Sequence, residues 1–198
     1  MDPENIPFNA LIVGPTNSGK TQYLVNQLCG PFCGKFDYIT LICPMFEYNR
    51  AVYRFVERDP RLFVITCEQH EVEAWLRYAS WFLEGTNALI VLDHCAASKD
   101  VKGRTGQLVK LGFSACHAGL SVWVLTQQLS SIAKPFHENV AAIILFYKPS
   151  ALTTKAIFEE YAGDLTKDKI KVLVARLKER KFAHLAFSLR FLYGIKLN

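Results

Sequence analysis

A chain of 198 residues, 51% hydrophobic and 21% charged, has the proportions of one globular domain with a sizeable core, read as a single unit over residues 1–198. That balance excludes an acidic or low-complexity disordered chain, and the longest apolar runs, such as 141–147, fall far short of the ~20 residues a membrane-spanning helix needs. The net charge of +5 is unevenly placed: residues 164–198 hold nine Lys/Arg against three Asp/Glu, and the preceding residues 14 against 15.

The chain starts with Asp2 and Glu4 and no apolar leader, which reads as an intracellular, non-secreted protein. A strand is expected at 8–13, followed at once by Gly14, Pro15, Thr16, Asn17, Ser18, Gly19, Lys20 and Thr21, a full match to G-x-x-x-x-G-K-[ST]. A helix is expected over 20–29. Strand over 38–43, helix over 50–58, strand over 62–66 and helix over 71–84 come next, then a strand at 88–92 that ends in Asp93. Beyond it the pattern gives helix 107–115, strand 122–125 ending in Thr126 and Gln127, helix 129–136, strand 141–146 and helix 151–162. Most strand runs are apolar throughout, as strands buried on both faces of a parallel sheet must be. Their alternation with helices predicts an α/β, mainly parallel, doubly wound sheet with flanking helices over a core of 8–163.

The extension 164–198 reads as a basic helix over 167–181 and two short β-like runs, 184–189 and 191–197, forming a hairpin at the sheet edge. Ile170, Leu173, Val174 and Leu177 make one apolar stripe on that helix, while Lys169, Lys171, Arg176, Lys178 and Arg180 crowd its other faces. A basic tail of this kind points to a polyanionic partner, nucleic acid foremost, although a plain solvated face produces the same pattern. Six cysteines offer only one close pair, Cys29 and Cys33, with no second pair at zinc-finger spacing, and they read as reduced thiols.

The phosphate loop carries the chemistry. Its glycines let successive N–H groups turn inward on phosphate oxygens at a helix N-terminus. Lys20 is expected to neutralise the terminal phosphates of ATP and the Thr21 hydroxyl to ligate Mg²⁺. Asp93, at the end of an apolar strand some seventy residues on, fits the second Mg²⁺ position, and Gln127 fits a γ-phosphate sensor at the carboxyl end of a neighbouring strand.

Together with 114–122 and 135–139, these motifs resemble the viral genome-packaging ATPases of the FtsK/HerA superfamily, the poxvirus-type enzyme and its Maverick/Polinton and adenovirus relatives. The resemblance implies a P-loop NTPase that hydrolyses ATP, assembles into a ring and drives double-stranded DNA into a capsid, with capsid or portal proteins as further partners and no membrane. Three positions depart from the family: His94 stands where a carboxylate is usual, and Cys116 and His137 where arginines are usual. Two readings stay open. Neighbours substitute, with Glu47 or Glu68 as the carboxylate and Arg104 as an arginine finger across a ring interface; or nucleotide binds and hydrolysis is impaired. A nucleoside kinase also fits a P-loop into this length, but 130–136 offers Lys134 and no arginine-rich lid. A nucleotide-binding structural switch is the other alternative.

Overall fold

The computed structural model describes residues 1–54, 56–95, 98–147, 157–163, 165–189 and 194–197. Eight strands form one sheet in the order β3-β2-β4-β5-β1-β6-β7-β8. The strands are β1 (Ala10–Val13), β2 (Tyr38–Ile42), β3 (Leu62–Ile65), β4 (Ala88–Leu92), β5 (Leu120–Thr126), β6 (Ala142–Phe146), β7 (His184–Ser188) and β8 (Gly194–Leu197). Every pairing from β3 through β6 is parallel, and β7 and β8 add antiparallel to β6. The expected doubly wound sheet with a C-terminal hairpin at its edge is therefore the fold observed.

Both faces of this sheet are covered, and the side chains divide between them with period two. Leu11, Val13, Ile90, Leu92, Val122 and Val124 face one core, built with α3 (Val72–Phe82) and α5 (Gln107–Ser114). Ala10, Ile12, Leu89, Val91, Trp123 and Leu125 face the other, built with α1 (Lys20–Cys29) and α2 (Phe46–Tyr53). This explains why the strand sequences are continuous apolar runs rather than alternating ones.

Two helices depart from expectation. Helix α2 begins at Phe46 rather than residue 50, because Phe46 and Tyr53, two turns apart, lie on one face and stack with ring centroids 5.5 Å apart in the core. The helix expected over 129–136 is broken into a 3₁₀ turn, Leu129–Ser131, and a short helix, α6 (Lys134–His137). Pro135 cannot donate a backbone hydrogen bond and is accommodated in a first helical turn, so the helix restarts there. A short α4 (Lys99–Lys102), unsignalled by the sequence, follows β4. The basic helix, α7 (Lys167–Glu179), is capped by Thr166, whose hydroxyl accepts from the Lys169 amide. The helix expected at 151–162 lies partly outside the described residues, and 157–161 is helical.

The phosphate-loop strand is anchored from both sides. Asn9, 1% exposed, accepts from the Val122 amide through Oδ1 at 3.1 Å and donates through Nδ2 to the Leu111 and Gly112 carbonyls, each at 3.4 Å. One side chain thereby ties the start of β1 to β5 and to α5. Asn9→Ala leaves the buried Val122 amide without its acceptor, and is expected to lower stability by about 1–3 kcal/mol, measured as a shift in the urea midpoint at unchanged m-value.

Candidate functional site

Three strand ends build the site. In register, Val13 pairs with Thr126 and Leu92 with Val124, so the residues leaving β1, β4 and β5 emerge along one edge of the sheet, where doubly wound folds bind ligands. The loop after β1 opens with the Gly14 amide donating to the Thr126 carbonyl at 3.0 Å. Gly14 is enclosed: a Cβ there would stand 2.7 Å from Phe146 Cβ and 2.7 Å from Ser18 Oγ. Asn17 (φ 59°) and Gly19 (φ 98°) take left-handed conformations that coil the loop back to the N-terminus of α1.

A cavity of about 910 Å³ opens over that loop. Thr16, Asn17, Ser18, Gly19, Lys20 and Thr21 line it, with Asp93, His94, Gln127 and Gln128 from the ends of β4 and β5. Gly14 and Pro15 are not among its lining residues, and Lys20 Nζ donates to the Pro15 carbonyl at 2.9 Å. Burial lowers the Lys20 pKa from the ordinary lysine value, while the charge of Asp93 opposes that shift.

Asp93 is the buried charge of the site, 2% exposed. Its Oδ2 accepts from Thr21 Oγ1 at 3.1 Å and from the Tyr53 hydroxyl at 2.6 Å. Two motifs 72 residues apart in sequence thus meet through one carboxylate oxygen. Burial first, and then the Asp93 charge, raise the Tyr53 pKa well above the usual phenol value, so the hydroxyl remains a donor. The same two causes push the Cys43 thiol beneath it to about 12.

His94 adopts φ 60° and turns its ring into the cavity, with Nε2 3.8 Å from Asp93 Oδ1 and 3.4 Å from Asn49 Nδ2. Gln69 Nε2 holds the His94 carbonyl at 2.7 Å. Among the described residues, Cys116 and His137 do not line the cavity. Cys116 lies in a 3₁₀ turn, Ala115–Ala118, before β5. His137 is packed at the end of α6, its Nδ1 2.7 Å from the Tyr161 hydroxyl and 3.3 Å from Glu160 Oε1. Burial lowers its pKa, against the charge of Glu160.

Glu47, Glu68 and Arg104 stand outside this cavity. Glu47 is on the exposed first turn of α2, 3.8 Å from Arg50. Glu68 is exposed beyond β3, its amide held by Glu71, and Arg104 is exposed between α4 and α5. The cavity instead recruits residues that motif reading passed over: Asn49 from α2, Lys102 from the end of α4, and Lys181 and Phe182 from the turn after α7. Tyr53, likewise unsignalled, reaches Asp93 from beneath. An aromatic seven residues after Phe46 is an ordinary core signal, and only the tertiary structure shows that its hydroxyl meets a carboxylate.

The donor set fits a nucleotide with Mg²⁺. Thr21 Oγ1 and Asp93 Oδ2 are hard oxygen donors side by side, and Ser18 Oγ is buried in the phosphate loop without a hydrogen-bond partner.

The family model for the Poxvirus A32 protein matches residues 3–151. Among solved structures, the genome packaging NTPase B204 from Sulfolobus turreted icosahedral virus 2 in complex with AMPPCP superposes with a TM-score of 0.70 at 16% identity, over 100% of this chain and 98% of that chain. The DNA-packaging ATPase B204 from Sulfolobus turreted icosahedral virus gives a TM-score of 0.70 at 16% identity, over 96% of each chain. The cytoplasmic domain of the type VII secretion ATPase EccC from Thermomonospora curvata gives 0.64 at 11% identity, over 94% of this chain and 24% of that chain. These likenesses show a shared fold. No curated protein sequence matches the chain significantly.

Tyr53→Phe keeps the ring and removes one of two donors to a buried carboxylate oxygen. It is expected to destabilise the nucleotide-free protein by about 1.5–3 kcal/mol, the range for hydrogen bonds to charged groups, read from thermal or urea unfolding.

Proposed function

We propose, from the premise that this chain belongs to the Poxvirus A32 protein family, that it is a genome-packaging ATPase, a motor that couples ATP hydrolysis to movement of double-stranded DNA. The motif resemblance to poxvirus-type packaging enzymes agrees with that family match. The observation that carries the reading is the meeting of the phosphate loop with the β4 carboxylate, Thr21 Oγ1 to Asp93 Oδ2 at 3.1 Å, inside a cavity that also holds Lys20 and Gln127.

In this reading Asn17, Ser18 and Gly19 wrap the phosphates with backbone amides, and the Ser18 hydroxyl supplies one further hydrogen bond. Lys20 exchanges its contact with the Pro15 carbonyl for the β- and γ-phosphates. Thr21 and Asp93 hold Mg²⁺, which when bound neutralises charge developing on the transferred phosphoryl group. Tyr53 keeps Asp93 aimed at that position. Gln127, at the end of β5, orients water or senses the γ-phosphate. His94 faces the same space, where an imidazole stands in place of a carboxylate and adds no negative charge beside Asp93. Arg104 is exposed between α4 and α5 and outside the cavity, and in this reading it serves as an arginine finger on a neighbouring subunit.

Helix α7 supplies the electrostatic contact with DNA. Lys169, Lys171, Arg176 and Lys178 on it, and Arg180 at its C-cap, are all exposed, and a motor that must grip any stretch of genome reads phosphates rather than bases. The segment 130–136, which offers Lys134 and no arginine-rich lid, favours this reading over a nucleoside kinase. Among the described residues no helix is long and apolar enough to cross a membrane.

Lys20→Ala removes the cation from the phosphate loop and is expected to abolish ATP binding measured by calorimetry. ATP binding equal to the parent's would sink the phosphate-loop reading. ATP turnover by the parent protein should rise on addition of double-stranded DNA of any sequence, and a rate indifferent to DNA would argue against a DNA motor. Neutralising the five cations of α7 together should flatten the dependence of log affinity for DNA on log salt, whose slope is roughly 0.9 per neutralised phosphate. An unchanged slope would assign the helix to packing or assembly.

A further inference from the structure

The turn between α7 and β7 brings an aromatic ring to the phosphate loop that none of the loop's own chemistry requires. Phe182 is 54% exposed and adopts φ 69°, in the left-handed region that bulky side chains avoid. It lines the nucleotide cavity beside Lys181, whose Nζ lies 5.0 Å from the centre of the Phe182 ring. The ring sits directly over the loop: a Cβ at Gly19 would stand 3.0 Å from Phe182 Cδ1. Burial does not account for a strained residue with half its surface in water, and such outliers concentrate where a ligand is clamped.

Sheet order fixes which end of a nucleotide meets this ring. Asp93 and Gln127 leave β4 and β5, on one side of β1, whereas β6 and β7 lie on the other. A triphosphate whose terminal phosphate faces Asp93 and Gln127 therefore extends its nucleoside end across α1 toward the β6–β7 side, where Phe182 stands. The approach is rigid. Tyr23 in the first turn of α1 packs edge-on against His184 of β7 at 4.8 Å, and His184 packs against Phe146 of β6 at 5.1 Å. The turn bearing Phe182 is thus held to the phosphate-loop helix by the aromatic cluster beneath it.

We propose that Phe182 is the platform on which the nucleobase stacks, with Lys181 as its cationic neighbour. This deepens the ATPase reading and rests on it. Because Phe182 is three residues beyond the end of α7, a base held on its ring also holds the C-terminal end of the basic helix, and nucleotide occupancy and the position of the DNA-facing cations become linked through the turn 180–183.

The test separates base from phosphate. Binding of ATP and of inorganic tripolyphosphate, both with Mg²⁺, is measured by calorimetry for the parent, Phe182→Ala and Phe182→Trp. Phe182→Ala should weaken ATP at least about fivefold, the low end of base–aromatic stacking. Tripolyphosphate binding should stay at the parent value and so report an intact phosphate loop, and Phe182→Trp should restore ATP affinity. Unchanged ATP affinity in Phe182→Ala overturns the proposal. So does an equal loss for both ligands, which would make Phe182 a support of the loop and not a base platform. If the parent binds neither ligand, it is the phosphate-loop reading that fails, and the base platform falls with it.

Discussion

A carboxylate with 2% of its surface exposed cannot remain charged in a protein interior without partners, and that constraint organises this molecule. Asp93 finds its partners in Thr21, from the first turn of α1, and Tyr53, from the end of α2. Each partner reaches it only if β2, β4, β5 and β1 keep their parallel register, so the pairing that builds the sheet also builds the site. The arrangement serves the nucleotide-free protein as well as the loaded one: both hydrogen bonds satisfy an oxygen otherwise available to a cation.

The second organising feature is the closure of the phosphate loop by residues from the far end of the chain. The antiparallel strands β7 and β8 extend the sheet beyond β6, and Tyr23, Phe146 and His184 cement β7 to the helix that follows the loop. Burial lowers the His184 pKa, so a neutral imidazole suits this aromatic contact. The C-terminal extension is therefore part of the nucleotide cavity's wall through Lys181 and Phe182. A tail that reads from sequence as a basic appendage contributes, in three dimensions, two residues to the wall of the phosphate-loop cavity.

The three departures from the packaging-enzyme pattern separate in space. His94 lines the cavity, while Cys116 and His137 sit in the turns that precede β5 and β6. His137 has a packing role that an arginine would not fill: it is 6% exposed and joins α6 to the segment bearing Glu160 and Tyr161. Arg104 is exposed and does not line the cavity.

The sequence by itself determined the sheet and the phosphate loop. Apolar runs of strand length between helical stretches leave few folds open, and G-x-x-x-x-G-K-T at a strand-to-helix junction has one physical use. Asp93 was legible because a charge closing a five-residue apolar strand is conspicuous. The breakpoints of α2 and of the 129–137 segment were not legible, since Phe46–Tyr53 packing and the Pro135 restart are decided by what each helix meets in the core. Tyr53, Lys102, Lys181 and Phe182 belong to the site by proximity alone. Their sequence signals are those of ordinary core or surface residues, because a contact between segments far apart in the chain is set by strand order and register, which no local pattern encodes.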